Sequence, residues 1–274
     1  MFTLGRDASN QLHCDLALEV PQFTRACQLV IHNAGKAHSI PHTQAEKDEF
    51  FRVNVQGTAN LLQALENTGH FPEAFVFVSS VAVYGREEGQ YIAEQDALTA
   101  SDAYGLSKIR AEQMVTDWCA VHGVRCTILR LPLLVGRQAP GNLGSMIKGI
   151  KKGFYVNVGG GKAKRSMVLP ENVAAIIPAA AAHGGVFHLT DGYHPSFAEL
   201  STAIAQYYEV AKPVHLPFAL VKPLAVIGDL FSGKFPVNSS RLVKLTSQLT
   251  FDDSKARELL GWQPDPVLNL FRRS

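Results

Sequence analysis

Cysteine is scarce in this chain. Cys14, Cys27, Cys119 and Cys126 are spread over 274 residues with no CxxC spacing. That excludes a disulfide-stapled scaffold and offers no thiol set for a metal. The four read as reduced thiols of a cytoplasmic protein, acting as small apolar side chains. An excess of one charge is also lacking: 26 Lys and Arg stand against 24 Asp and Glu, a net charge of +2 with no basic block. Nucleic acid is therefore not an expected partner. No apolar run reaches membrane-spanning length. The best candidate, Val214 to Phe231, is broken by Pro217, Lys222, Pro223 and Asp229. It reads as a helix packed on its own protein, with contact at a membrane surface the lesser alternative. The opening MFTLGRDASN has no apolar stretch of a secretory signal. Neither an internal repeat nor a low-complexity tract is present.

What remains is an ordinary globular composition, 46% hydrophobic and 18% charged, enough for a sizeable core. Short apolar runs alternate with helical patterns. Leu29 to His32 reads as a buried strand ending in a glycine turn. Thr43 and Glu46 form a capping box before a helix from about residue 45 to 68. Ala74 to Val78 is a second strand, ending in Ser79 and Ser80. A polar loop, Arg86 to Asp102, leads to a helix from Ala103 to His122, and Val124 to Leu129 is a third strand. This β-α-β-α-β order predicts an α/β fold, a Rossmann-like parallel sheet flanked by helices, with ligand at the C-terminal strand ends. Beyond Gly136 the pattern loosens. Helices are expected at 143–152, 171–182, 197–208 and 254–260, and strands near 155–158 and 186–189. The composition shift near Val135 divides the chain into a nucleotide-binding part, 1–135, and a smaller part, 136–274, with 170–210 packing back on the first.

Chemistry concentrates at Tyr104-Gly-Leu-Ser-Lys108. Residues four apart share one helix face, so phenol and ammonium can act together. A tyrosine in water has a pKa of about 10 and is a poor base at neutral pH. A neighbouring cation favours the phenolate, which could then exchange a proton with a substrate hydroxyl. Ser80 ends a strand 24 positions earlier, and its hydroxyl could bind the same substrate oxygen.

The ordered series VIHNAG, VNVQGTANLL, FVFVSSVAVYG, YGLSK and LRLPLLVG resembles the extended short-chain dehydrogenase/reductases, the NAD-dependent epimerase/dehydratase family. RSMVLPENVAAII and FDDSKARELLGW resemble its later segments, so the likeness covers nearly the whole chain. The resemblance implies an enzyme, NAD or NADP as cofactor, a nucleotide-diphosphate sugar as substrate, and a homodimer formed by the helices near 45–68 and 103–122. It implies Tyr104 as catalytic base, Lys108 as ribose-binding lysine and Ser80 as polarising hydroxyl. On the cofactor side it implies the adenine contacts Asp15 and Leu16, the dinucleotide loop Asn33, Ala34 and Gly35, the helix asparagine Asn54, and Leu131 and Pro132. On the substrate side it implies Asn142 and Leu143 in a phosphate loop and Arg165 on the diphosphate, with Arg241 and Lys244 near a second basic position. An arginine suits that task because its planar donors reach two oxygens at once.

The departures from the family pattern narrow the reading. The family opens with a strand and a GxxGxxG turn, and this sequence contains no such turn. The expectation is that the first β-α unit is missing, with Met1 to Gly5 the end of the second strand and LHCDL the third. Val81 and Ala82 stand where the dehydratases carry an Asp-Glu pair, and they cannot transfer protons, which disfavours dehydration. Left open are 4-epimerisation and reduction of a 4-keto sugar, on a UDP-hexose by expectation. A catalytically inactive, dinucleotide-sensing relative is the alternative. Arg6 favours the 2′-phosphate of NADP, but Asp7 beside it keeps NAD open. His32 reads as a strand-end histidine, and His38 could reach substrate.

Overall fold

Apolar runs bracketed by polar turns align as parallel strands where each is followed by a helical stretch long enough to carry the chain back over the sheet. The computed structural model describes residues 2–37, 39, 41–139, 141–229 and 239–272, with the backbone alone described at 224–229, 239–241 and 244. Two short strands, β1 (Leu4–Gly5) and β2 (Leu12–His13), form a parallel pair of their own. Then come β3 (Leu29–His32), α1 (Gln44–Phe51), α2 (Gly57–Asn67), β4 (Ala74–Ser80), β5 (Gly89–Ile92), α3 (Ala103–His122) and β6 (Arg125–Leu131). Next are β7 (Leu133–Leu134), α4 (Gly141–Lys151), β8 (Val156–Val158), β9 (Met167–Val168), α5 (Pro170–His183) and β10 (Gly185–His188). The chain closes with α6 (Phe197–Tyr207), β11 (Val214–Leu216), α7 (Phe218–Asp229), α8 (Ser239–Thr246), β12 (Leu249–Phe251) and α9 (Ser254–Leu260).

The main sheet has the order β10-β6-β4-β3, parallel throughout. Strand β4 lies inside it and is apolar on both sides, as a doubly covered strand must be. Phe75 and Phe77 face α2 and α3 and pack with Leu61, Leu65, Val115 and Trp118. Val76 turns the other way, against Val173 and Ala180 of α5 and Ala256 and Leu260 of α9. Each buried phenylalanine contributes on the order of 1.5–3 kcal/mol. A separate cluster joins α4, α6 and the turn Val267–Phe271 through Leu143, Ile147, Leu200, Ile204 and Phe271. Strand β3 pairs with β4 on one side and, among the described residues, with no strand on the other. Its Leu29 and Ile31 stay 37% and 42% exposed.

Three local findings differ from the sequence reading. The long helix after Thr43 is interrupted by a π-helical turn, Arg52–Gln56. The polar stretch 86–102 contains β5, which pairs in parallel with β12 from far along the chain. Val214–Leu216 is a strand paired with β8, and the helix begins only at Phe218. Pro217 explains where the helix starts, because Leu216 before it is pushed out of helical geometry.

Candidate active site

The first turn of α3 is set by Asp102, whose carboxylate caps the amides of Tyr104 and Gly105, both at 3.0 Å. Gly105 then passes close to the turn after β4. A Cβ there would lie 2.4 Å from Ala100 Cβ and 2.9 Å from the Ala82 carbonyl, so only glycine permits the approach. That turn, Val81–Tyr84, begins at Ser80, whose Oγ accepts from the Ala82 amide at 3.2 Å. The Ser80 side chain thereby comes near the Tyr104 phenol and acts on it. One turn on, Lys108 Nζ donates to the Val78 carbonyl at 2.9 Å and sits 4.6 Å from the Phe77 ring centre. The tyrosine, its serine and its lysine thus meet at the C-terminal end of β4.

The electrostatics of the site differ from the simple lysine-tyrosine picture. Burial raises the Tyr104 pKa above the usual tyrosine value; the nearby Ser80 side chain opposes that rise, and Asp102 adds to it. Burial also draws the Lys108 amine down to about 8, against the pull of Glu112. The phenol is therefore held neutral, as a proton donor. Forming the phenolate requires a further positive charge beside it.

Asn54 supports the other wall. The π-helical turn places it 2% exposed, facing the loop after β3. Its Oδ1 accepts from the Lys36 amide at 2.6 Å, and its Nδ2 donates to the Lys36 carbonyl at 3.1 Å and to Ser107 Oγ at 2.9 Å. Extra turns of this kind recur at functional sites because they re-aim one side chain. Asn33, Ala34 and Gly35 are exposed in that loop. A Cβ on Gly35 would stand 3.1 Å from Asn54 Oδ1 and 3.4 Å from Lys108 Nζ, so glycine keeps open a shallow floor beside the lysine. Leu131, paired in register with Ser80, and Pro132 are buried beside the strand end.

The remaining predicted residues fall as follows. Arg6 is exposed after β1, and its charge acts on Glu49, the ion-pair partner of Lys36 at 2.6 Å. The Asp15 carboxylate caps the Ala17 amide at 2.9 Å. Leu16 is a core residue, 7% exposed, with its carbonyl held by Asn60 at 2.7 Å. Asn142 is exposed at the start of α4. Leu143 belongs to the core at 3% exposure, which leaves only its amide, at the helix N-terminus, available to an anion. Arg165 is half-buried beside Glu87, and burial lowers its pKa while Glu87 opposes the shift. His32 is buried, and Nε2 meets Thr58 Oγ1 at 2.9 Å. His38 and the side chains of Arg241 and Lys244 lie outside the described residues. The sequence reading did not mark Ser107, Thr58, Glu112 or Arg130, although Glu112 shares the helix face of Lys108 at a spacing of four.

Known proteins share this fold. The NAD dependent epimerase/dehydratase family matches residues 8–189. The UDP-glucose 4-epimerase of Vibrio cholerae is 30% identical over 250 residues, which are 88% of this chain and 73% of that protein. The N-acetyl-alpha-D-glucosaminyl-diphospho-ditrans,octacis-undecaprenol 4-epimerase of Escherichia coli O157:H7 is 30% identical over 221 residues, 75% of this chain and 65% of that one. The chain thus spans between about two thirds and three quarters of the length of these two relatives. Among solved structures, RMD from Pseudomonas aeruginosa complexed with NADPH superposes with a TM-score of 0.70 at 20% identity, covering 96% of this chain and 86% of that one. The UDP-glucose 4-epimerase of Thermotoga maritima with UDP-glucose gives 0.68 at 21%, covering 89% and 75%. These two structures speak for the α/β fold alone, but the family match takes in both the strand that ends in Ser80 and the helix that carries Tyr104. The chain belongs to the NAD dependent epimerase/dehydratase family.

Proposed function

We propose that the chain acts on the C4 position of a nucleotide-diphosphate sugar, as a 4-epimerase or a 4-keto reductase, with NAD or NADP as cofactor and a UDP-hexose as substrate. The observation that carries this reading is the meeting of Ser80, Tyr104 and Lys108 at the end of β4. The open floor at Gly35 and the buried Asn54 fit the nicotinamide riboside half of a dinucleotide. In that fit Lys108 and Tyr104 would hold the ribose, and the bound nicotinamide ring would supply or accept the hydride. Ser80 orients the C4 oxygen. In the reductive direction, the neutral Tyr104 donates its proton to that oxygen as the ketone becomes an alcohol. In the oxidative direction the phenolate takes the hydroxyl proton, and the positive charge of Lys108 stabilises it. Val81 and Ala82 carry no group that could remove a ring hydroxyl.

The raised Tyr104 pKa keeps the phenol protonated, the form that the reductive direction uses. Arg165 and the start of α4 at Asn142 are the phosphate-facing part of the same reading. A homodimer in the cytoplasm, paired through the helices near 45–68 and 103–122, belongs to it as well.

The test is turnover by the purified chain with NAD, NADP and their reduced forms against UDP-glucose, UDP-galactose and their 4-keto derivatives, followed by nicotinamide absorbance and by sugar analysis. Tyr104→Phe should lower kcat by about 100-fold or more, the scale of losing a general acid-base group, while sugar affinity stays within a few-fold. Full activity in that variant would refute the assignment. Dinucleotide binding without turnover of any sugar would favour the sensing alternative.

A further inference from the structure

Beneath the Ser80, Tyr104 and Lys108 set lies a buried ion pair that the reaction above does not use. Arg130 of β6 and Glu112 of α3 are each 7% exposed in their side chains and meet at 2.8 Å, with Arg130 Nε 3.2 Å from both carboxylate oxygens. Ser79 donates its hydroxyl to Glu112. Arg130 Nη1 donates to Tyr84 Oη and to the Glu94 carbonyl, both at 2.8 Å. His188 continues the chain: Nδ1 faces the Asp252 carbonyl at 3.0 Å, so Nε2 accepts from the Tyr84 hydroxyl at 2.7 Å. Every member is satisfied, yet such a pair gains little stability over a well-packed apolar one, because two charges must be taken out of water. Its placement points to a use. Tyr104, Lys108 and Glu112 follow at intervals of four along α3 and share one stripe. Ser79 is the immediate neighbour of Ser80.

We propose that Glu112 is a positioning residue for the reaction at Tyr104: clamped by Arg130, it fastens Ser79 at the end of β4 to α3, so that Ser80 is held against Tyr104, and it sets a negative charge opposite Lys108 one turn away. This inference rests on reading that set as the reacting one. The groups around the lysine support it. From β3 comes His32, buried and neutral; from β4, the Val78 carbonyl and the Phe77 ring; from α3, Tyr104 and Glu112. Glu112 in turn faces Ser79 of β4, and Arg130 and Cys126 of β6. The Glu112 carboxylate is the opposite charge that keeps the buried lysine amine protonated. Without it, desolvation would act on the lysine unopposed, and about half of the ammonium that stabilises a Tyr104 phenolate would be lost at neutral pH.

The test uses the full chain with lysine labelled at Cε, the Lys108 resonance being assigned by its loss in Lys108→Met. Glu112→Gln keeps an acceptor for Ser79 and removes the charge. It should lower the Lys108 titration midpoint by about one pH unit. The alkaline limb of kcat should move down with it while KM for the sugar stays within a few-fold. Glu112→Gln strands Arg130, so the same variant combined with Arg130→Met removes that risk to folding; the Lys108 midpoint should fall in it as well. Glu112→Ala should lose kcat beyond the effect of Glu112→Gln, because the Ser79 tie is cut too. A Lys108 midpoint that stays put in both charge-removing variants overturns the inference, whether or not any sugar is turned over. Absence of turnover in the parent chain would instead count against the proposed reaction.

Discussion

Acid should loosen this protein at the strand that carries the Asn33–Gly35 loop, through His32. His32 ends β3 at 3% exposure, against the rings of Phe75 and Phe77. Thr58 Oγ1 already donates to the Asn54 carbonyl at 2.6 Å, so His32 must be the donor in its own contact with Thr58, through a protonated Nε2 and a bare Nδ1. Burial, followed by the charge of Lys108, depresses its pKa from 6.5 to about 3. A depressed folded-state pKa means the unfolded chain binds the proton more readily. The stabilisation is complete above pH 6.5 and is lost as the pH falls toward 3. The slope is about 1.4 kcal/mol per pH unit, so the share of His32 between pH 7 and pH 5 is about 2 kcal/mol. Urea unfolding of the parent and of His32→Leu at both pH values isolates this share, since every other titrating group contributes to both proteins. The parent should lose about 2 kcal/mol more than the variant. Equal losses, within about 0.5 kcal/mol, would refute the reasoning.

Two further substitutions probe the scaffold of the site. Asn54→Ala removes three hydrogen bonds, one fully and two partly buried, and should cost about 2–3 kcal/mol in urea unfolding, with dinucleotide affinity weakened more than sugar affinity. Retained dinucleotide affinity would mean that the loop after β3 holds its shape without the asparagine. Gly105→Ala drives a methyl group into Ala100 and the Ala82 carbonyl, and should lower thermal stability by about 1–3 kcal/mol together with kcat. Normal kcat in a folded Gly105→Ala protein would show that the close approach of α3 to the turn after Ser80 is not needed for the chemistry.

Much of the local structure could be read from residue order, because its causes are local. The helix expected at Ala103 to His122 runs over those residues, set by Asp102 at its start and Gly123 in left-handed geometry at its end. The strand expected at Leu29 to His32 is β3, though not buried as expected, since Leu29 and Ile31 are exposed; the capping box at Thr43 and Glu46 is present. The elements that escaped have distant causes. Strand β5 exists because β12 lies beside it, and no periodicity in residues 86–102 signals that. The π-helical turn is stabilised by contacts of Asn54 and Thr58 with residues far along the chain. At the site, the juxtaposition of Ser80, Tyr104 and Lys108 follows from strand-helix-strand order. The burial that raises the Tyr104 pKa does not, since it depends on packing across elements. Leu16 and Leu143 show the limit of motif matching: their side chains serve the core, and a motif does not say which way a leucine points.

The pairing of β5 with β12 makes the far end of the chain a tether on the approach to Tyr104. Residues 249–251 grip 89–92, and 89–92 lead within a dozen positions to the aspartate that caps the tyrosine's helix. The segment that leads to Asp102 is thus fixed by a strand from far later in the chain rather than by its own sequence neighbours.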